Sequence, residues 1–129
     1  MAGQQNRAGI RRNYHVLAVP DIERTARWWI EIMGFRSVMQ PEGWHFVGRD
    51  QCMIMLGECP DAIDPAELGD HQYFAYIVVD DLDAYHAEII GGAPEILAGP
   101  ADKPWGMREM AVRTPDGHRV MFGQDLEGN

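Results

Sequence analysis

Two stretches of the chain, sixty positions apart, carry the same order of apolar and polar residues. The first runs Tyr14, His15, Val16, Leu17, Ala18, Val19, Pro20, Asp21, Ile22, and the second Phe74, Ala75, Tyr76, Ile77, Val78, Val79, Asp80, Asp81, Leu82. Val19 and Val79, Asp21 and Asp81, and Ile22 and Leu82 fall in register. Each copy is a β-branched and aromatic run that ends at an Asp suited to cap a helix. After Asp21, Ile22, Ala26, Trp29, Ile32 and Met33 recur at helical spacing, and Gly34 stands where a helix C-terminus favours glycine. After Asp81, Leu82, Tyr85, His86, Ile89 and Ile90 share one side of a second helix closed by Gly91 and Gly92.

Three short runs follow the first helix, at Phe35 to Gln40, Trp44 to Val47 and Cys52 to Leu56, and read as antiparallel strands. The second half offers strands near Tyr73 to Val79, Glu95 to Leu97, Met107 to Arg113 and His118 to Phe122, with Thr114-Pro115-Asp116-Gly117 as a tight connection. The pattern predicts an α+β fold of two tandem βαβββ units, about 13–57 and 73–124, joined by an acidic linker at 58–72. The two units are expected to form a curved mixed sheet with a concave cleft and helices on the convex side. Residues 1–12 are expected to be a flexible arm, and 13–124 a single domain.

The chain has 129 residues, enough for one core shared by two small half-domains. It contains no apolar run long enough to span a bilayer, and its first residues are polar, so a soluble cytoplasmic protein is expected. A net charge of -9 argues against nucleic acid or anionic lipid as a partner and favours a cationic one. Glu58, Asp61, Asp64, Glu67 and Asp70 form an acidic run without one Lys or Arg, a solvated loop on the plain reading and an electrostatic funnel on the functional one. Cys52 and Cys59 have neither metal-site nor disulfide-framework spacing and are expected to be free thiols.

On this duplicated frame, Asp21 through Phe35, with Trp28-Trp29 and Met33-Gly34-Phe35, resembles the vicinal oxygen chelate superfamily of glyoxalases, extradiol dioxygenases and bleomycin resistance proteins. Pro104-Trp105-Gly106-Met107-Arg108-Glu109 followed by Thr114-Pro115-Asp116-Gly117-His118 is similar to the bleomycin resistance branch. The resemblance implies four positions that hold His or Glu metal ligands in metal-dependent members. Here they fall on Tyr14, Met55, Phe74 and Met121, so no metal and no cofactor are expected. His15, His71 and His118 are out of phase with those positions, and His86 lies on the apolar side of its helix. A site built from the five histidines is the minority alternative.

The expected ligand-binding residues are Tyr14, Trp44, Phe46, Met53, Met55, Phe74, Tyr76, Trp105, Glu109 and Met121. Aromatics supply stiff contact area and methionines an adaptable one. A two-residue hairpin at Arg49-Asp50 would set Trp44 opposite Met55 and Phe46 opposite Met53. Trp28 and Trp29 are assigned to the core. Arg108 and Arg113 are the alternative holders of an anionic group. No nucleophile and base stand at a recognisable spacing and no phosphate-cradling loop is present. The leading reading is a metal-independent small-molecule binding protein resembling those that confer bleomycin resistance by sequestration. Its ligand is expected to be cationic and aromatic or amphipathic, and the protein a homodimer. The competing reading is a glyoxalase- or dioxygenase-type enzyme with a relocated metal, or with a metal-free acid and base such as Tyr14 and Glu109.

Overall fold

The computed structural model describes residues 11–68 and 72–127. In chain order these form β1 (His15–Val19), α1 (Ile22–Glu31), β2 (Arg36–Met39), β3 (Trp44–Arg49), β4 (Cys52–Glu58) and a 3-10 turn at Pro65–Leu68. The second unit follows as β5 (Tyr73–Val78), α2 (Leu82–Ile90), β6 (Glu95–Asp102), β7 (Met107–Arg113) and β8 (Arg119–Asp125). The α+β class and both tandem units are present, and the strands bond as two four-stranded mixed sheets, β1-β4-β3-β2 and β5-β8-β7-β6. Most of the expected N-terminal arm, residues 1–10, lies outside the described residues, as do Asp70 and His71.

Local chemistry sets the helix ends as the sequence implied. The Asp21 carboxylate accepts the Arg24 backbone N–H at 3.1 Å and Asp81 accepts that of Ala84 at 3.0 Å. Gly34, at φ +78°, reverses the chain after α1 in a conformation that a side chain disfavours.

Each helix covers one face of its own sheet and is then tied to a hairpin turn of the other unit. Arg24 Nη2 and Thr25 Oγ1 of α1 both donate to Asp116 in the β7–β8 turn. Arg49, at the end of β3, donates to both carboxylate oxygens of Glu88 on α2, at 2.5 and 2.9 Å. The Arg49 guanidinium also sits 4.9 Å from the centroid of the Tyr85 ring, while the Tyr85 hydroxyl donates to the Met33 carbonyl at 3.0 Å. These reciprocal ties place both helices against one shared core containing Trp29, Met33, Ile54, Leu56, Leu82, Ile89, Met110 and Phe122. The helix-bearing faces of the sheets therefore turn toward that core, and their other faces point away from it.

Two expectations are corrected. The β3–β4 pairing sets Trp44 opposite Gly57 and Phe46 opposite Met55, because the connection is Asp50-Gln51 and Arg49 pairs with Cys52. Asp50 carries the positive φ of +50° that such a two-residue turn requires. The slip is of two residues, so each side chain stays on its expected face. Strand β6 runs five residues beyond Leu97, through Gly99 and Pro100. Proline is tolerated there because β6 is an edge strand with irregular pairing on its one bonded side.

Candidate ligand-binding faces

On the first sheet, alternation leaves Val16 and Ala18 exposed while Leu17 and Val19 are buried, and Tyr14 is in phase with Val16. Val16 neighbours Met55, and Met55 neighbours Phe46, so a row of apolar side chains crosses the helix-free face. Trp44 lies across Gly57: a Cβ at that glycine would stand 2.9 Å from the indole. The ring meets Phe46 edge-on at 6.1 Å between centroids. Trp44 is thus a plate resting on the sheet, 37% exposed.

The second sheet builds a comparable plate by a different route. Tyr76 neighbours Met121 across the parallel β5–β8 pair, and Glu109 faces Gly123 across β7–β8. Because Gly123 has no side chain, the Tyr76 ring crosses above it, where any Cβ would collide with the ring. Its hydroxyl donates to Glu109 Oε2 at 2.8 Å, and the Trp105 indole N–H donates to the same oxygen at 2.9 Å. Trp105 sits in a turn closed by Lys103 and Met107, followed by Gly106 at φ +85°. Trp105 is 65% exposed and Tyr76 45%, whereas Glu109 beneath them is 7% exposed. Burial, then the hydrogen bond and charge of Glu109, push the Tyr76 phenol up to about 12, which holds it in its protonated, donating form.

The expected residues thus divide between two faces: Tyr14, Trp44, Phe46, Met53 and Met55 on the first sheet, Tyr76, Trp105, Glu109 and Met121 on the second. Phe74 departs from both. The β5–β8 register shifts between Tyr73 and Ala75, and Phe74 turns toward Trp29, His15 and His118, with ring centroids 6.1, 6.0 and 6.2 Å away. Arg108 is held by Asp83 and Asp102 and Arg113 by Glu95, so neither is presented to an anion without losing a partner. Of the acidic run, Glu58, Asp61, Asp64 and Glu67 are exposed, and Glu58 lies beside Trp44 in a shallow groove.

A larger cleft, about 760 Å³, runs between the two units and is lined by His15, Arg49, Met53, Tyr76, Tyr85 and Glu88 among others, so two of the expected binding residues, Met53 and Tyr76, meet there. Three of its polar groups hold the units together: Arg49 and Glu88 pair across it, and Arg49 and Tyr85 both donate to the Met33 carbonyl. It is a structural joint, whereas the aromatic plates have open surface. Sequence reasoning missed Arg49 and Asp116 as joints, and missed Gly57 and Gly123 as the floors beneath the plates. A glycine inside a strand is the signal that could have found the latter pair.

The profile of the Glyoxalase/Bleomycin resistance protein/Dioxygenase superfamily matches residues 11–122. The chain belongs to this superfamily. A bleomycin resistance determinant encoded on transposon Tn5 superposes with a TM-score of 0.75 at 23% identity, covering 90% of this chain and 98% of that one. The bleomycin-binding protein of bleomycin-producing Streptomyces verticillus, solved with copper(II)-bleomycin, gives 0.70 at 26% identity, covering 90% and 97%. TioX from Micromonospora sp. ML1 gives 0.69 at 24% identity, covering 88% and 95%. No curated protein matches the sequence.

Metal-dependent members of the superfamily raise the question of whether this chain's residues fit a divalent ion. At the positions that the resemblance implies for the ligands, Met55 and Met121 offer thioethers, Phe74 offers no donor atom and has turned inward, and Tyr14 offers a phenol. These are poor ligands for hard or borderline divalent ions. Among the described residues no three His, Cys, Asp or Glu side chains converge on a point that could hold one. Four histidines can be placed. His15 packs edge-on to Phe74, His45 is buried with Nε2 2.8 Å from Ser37 Oγ, His86 is half-buried on α2, and His118 packs on the other side of Phe74. Among the described residues, no helix is long and apolar enough to cross a membrane.

Burial pushes the His118 imidazole below its ordinary value of 6.5, against the opposing charges of Asp116 and Asp64. Its Nδ1 is enclosed without a partner. A base whose folded pKa is depressed leaves the unfolded chain binding more protons. Its contribution is therefore fully present above about 6.5 and is lost as pH falls from there toward the folded pKa. Urea midpoints at about pH 7.5 and 5.5 are expected to show a loss of stability on acidification that is smaller in His118→Gln. An equal loss in both proteins would assign the slope to other groups.

Proposed function

We propose that this protein is a metal-independent small-molecule binding protein that sequesters a flat aromatic or amphipathic ligand, in the manner suggested by its bleomycin-binding relatives. The observation that carries this reading is the pair of exposed aromatic plates on the helix-free faces. Trp44 rests on Gly57, and Tyr76 with Trp105 is braced by Glu109. Large aromatics left exposed yet fixed in place suit recognition, because little rotamer freedom remains to be lost on binding. The functional unit is a homodimer in which the first-sheet face of one chain meets the second-sheet face of the other across the ligand. Left alone, each chain exposes Val16, Trp44, Tyr76, Val78 and Trp105 to water.

The enzyme reading needs an acid and a base at one point. Tyr14 and Glu109 lie on different sheets with no hydrogen bond between them, and the phenol nearest Glu109, Tyr76, is held protonated. A thermal-shift screen against bleomycin-type glycopeptides, neutral planar aromatics and divalent metals tests the proposal. A ligand at about one hundred times its Kd adds about 2.7 kcal/mol, a rise in Tm of about 10 °C for a chain of this size. Metals and chelator are expected to leave Tm unchanged, elemental analysis to find no stoichiometric transition metal, and light scattering to give the dimer mass at micromolar concentration. A bound metal whose removal lowers Tm would restore the enzyme reading.

A further inference from the structure

The Glu109 carboxylate is nearly buried, and the ion pairs of Arg24 with Asp116, Arg49 with Glu88, Arg108 with Asp83 and Asp102, and Arg113 with Glu95 do not include it. Both of its hydrogen bonds, from Tyr76 Oη and Trp105 Nε1, converge on Oε2. Oε1 accepts none from the described residues and is not sealed from solvent. A nearly buried carboxylate kept in place by two neutral donors and held in no ion pair is an incomplete electrostatic arrangement. What surrounds the free oxygen is suited to complete it: the exposed rings of Tyr76 and Trp105 are anchored to the same carboxylate, and Met107, Ala111 and Met121 hold neighbouring positions on that face.

We propose that Glu109 Oε1, flanked by Tyr76 and Trp105, is a subsite for the cationic group of an aromatic ligand, an ammonium or amidinium donating to the free oxygen while lying against the two rings. This rests on the binding reading above and adds the class of ligand to it. A charge-assisted hydrogen bond and a cation–π contact act together on one group, in a place where water is partly excluded. The preference for positive charge is therefore a property of contact at Glu109. The acidic run at Glu58 to Glu67 acts on approach, over a range that salt screens. Gly123 is part of the device, since only a residue without a side chain lets Tyr76 reach across the strand to the carboxylate.

Three probes that share a naphthylmethyl group and carry a positive, neutral or negative head test the subsite: 1-naphthylmethylammonium, 1-naphthylmethanol and 1-naphthylacetate, with affinities measured by ligand-observed NMR at about 50 mM salt, where screening is modest. The ammonium is expected to bind about tenfold more tightly than the alcohol, and the acetate more weakly than either. In Glu109→Gln the amide oxygen still accepts from Tyr76 and Trp105, so tryptophan emission and near-ultraviolet circular dichroism stay as in the parent while the ammonium-to-alcohol ratio falls toward one. In Asp61→Asn/Asp64→Asn/Glu67→Gln the ratio is retained. Equal binding of ammonium and alcohol by the parent, a ratio unchanged in Glu109→Gln, or a ratio abolished by the loop variant would each overturn the proposal. If the alcohol binds and the ammonium gains nothing, the subsite falls and the binding reading stands. If none of the three binds, both fall. The loop variant changes only exposed side chains, so it tests the proposal even should Glu109→Gln fail to fold.

Discussion

Trp29→Ala is expected to lower the unfolding free energy by about 3–5 kcal/mol, the range for truncating a large aromatic in a core. Against a typical total of about 5–15 kcal/mol, that is about a third or more of the stability at the midpoint of the range. Trp29 is fully buried. It meets Trp28, Phe35 and Phe74 edge-on, at 5.0, 4.9 and 6.1 Å between centroids, and the last of these belongs to the other unit. Removing the indole therefore opens a cavity where the two halves share their core, and neither half can close it alone. Its Nε1–H is enclosed without an acceptor, so Trp29→Phe discards an unsatisfied donor and is expected to cost far less than alanine. Urea unfolding of the three proteins measures both differences. An alanine variant within about 1 kcal/mol of the parent would show that the shared core tolerates the void.

The repeat that places Trp29 was legible because it depends on near neighbours. Asp21 and Asp81 cap their own helices, and Ile22, Ala26 and Trp29 recur on one helical face, so local pattern was sufficient. Strand faces were legible for the same reason, which is why Trp44, Phe46, Met53 and Met55 were grouped on one face even though their cross-strand partners were misjudged by two positions. What depends on the other half of the chain was not legible. Asp116 looked like a turn residue and is also the acceptor for Arg24 and Thr25, 92 and 91 residues away in sequence and adjacent in space. Phe74 has the alternation of a face residue, and only the irregular pairing of β5 with β8 turns it inward. Glu109 was placed among the site residues by resemblance. Its role as the common acceptor for Tyr76 and Trp105 needed Gly123 to be recognised as the gap that Tyr76 crosses.

Binding of whichever ligand raises Tm in the screen is expected to weaken about thirtyfold or more in Trp44→Ala and again in Trp105→Ala, the loss of about 2 kcal/mol that marks an interface hot spot. Folding stability should fall by less than in Trp29→Ala, since Trp44 and Trp105 are partly exposed, with up to about 1–3 kcal/mol lost in Trp105→Ala because Glu109 loses one of its two donors. The two residues stand on different sheets whose open faces point away from the shared core. On the proposed dimer, a ligand sensitive to both touches the first-sheet face of one chain and the second-sheet face of the other, with one ligand bound per chain. Loss in only one variant would confine the site to a single sheet and remove the dimeric cleft. Gly57→Ala separates contact area from orientation: it keeps the indole of Trp44 but sets a methyl group 2.9 Å from the ring, which must lift off the sheet. If the posture of the plate matters, Gly57→Ala weakens binding in the same direction as Trp44→Ala with the tryptophan still present. If only its area matters, affinity is unchanged and the glycine beneath it is incidental to binding.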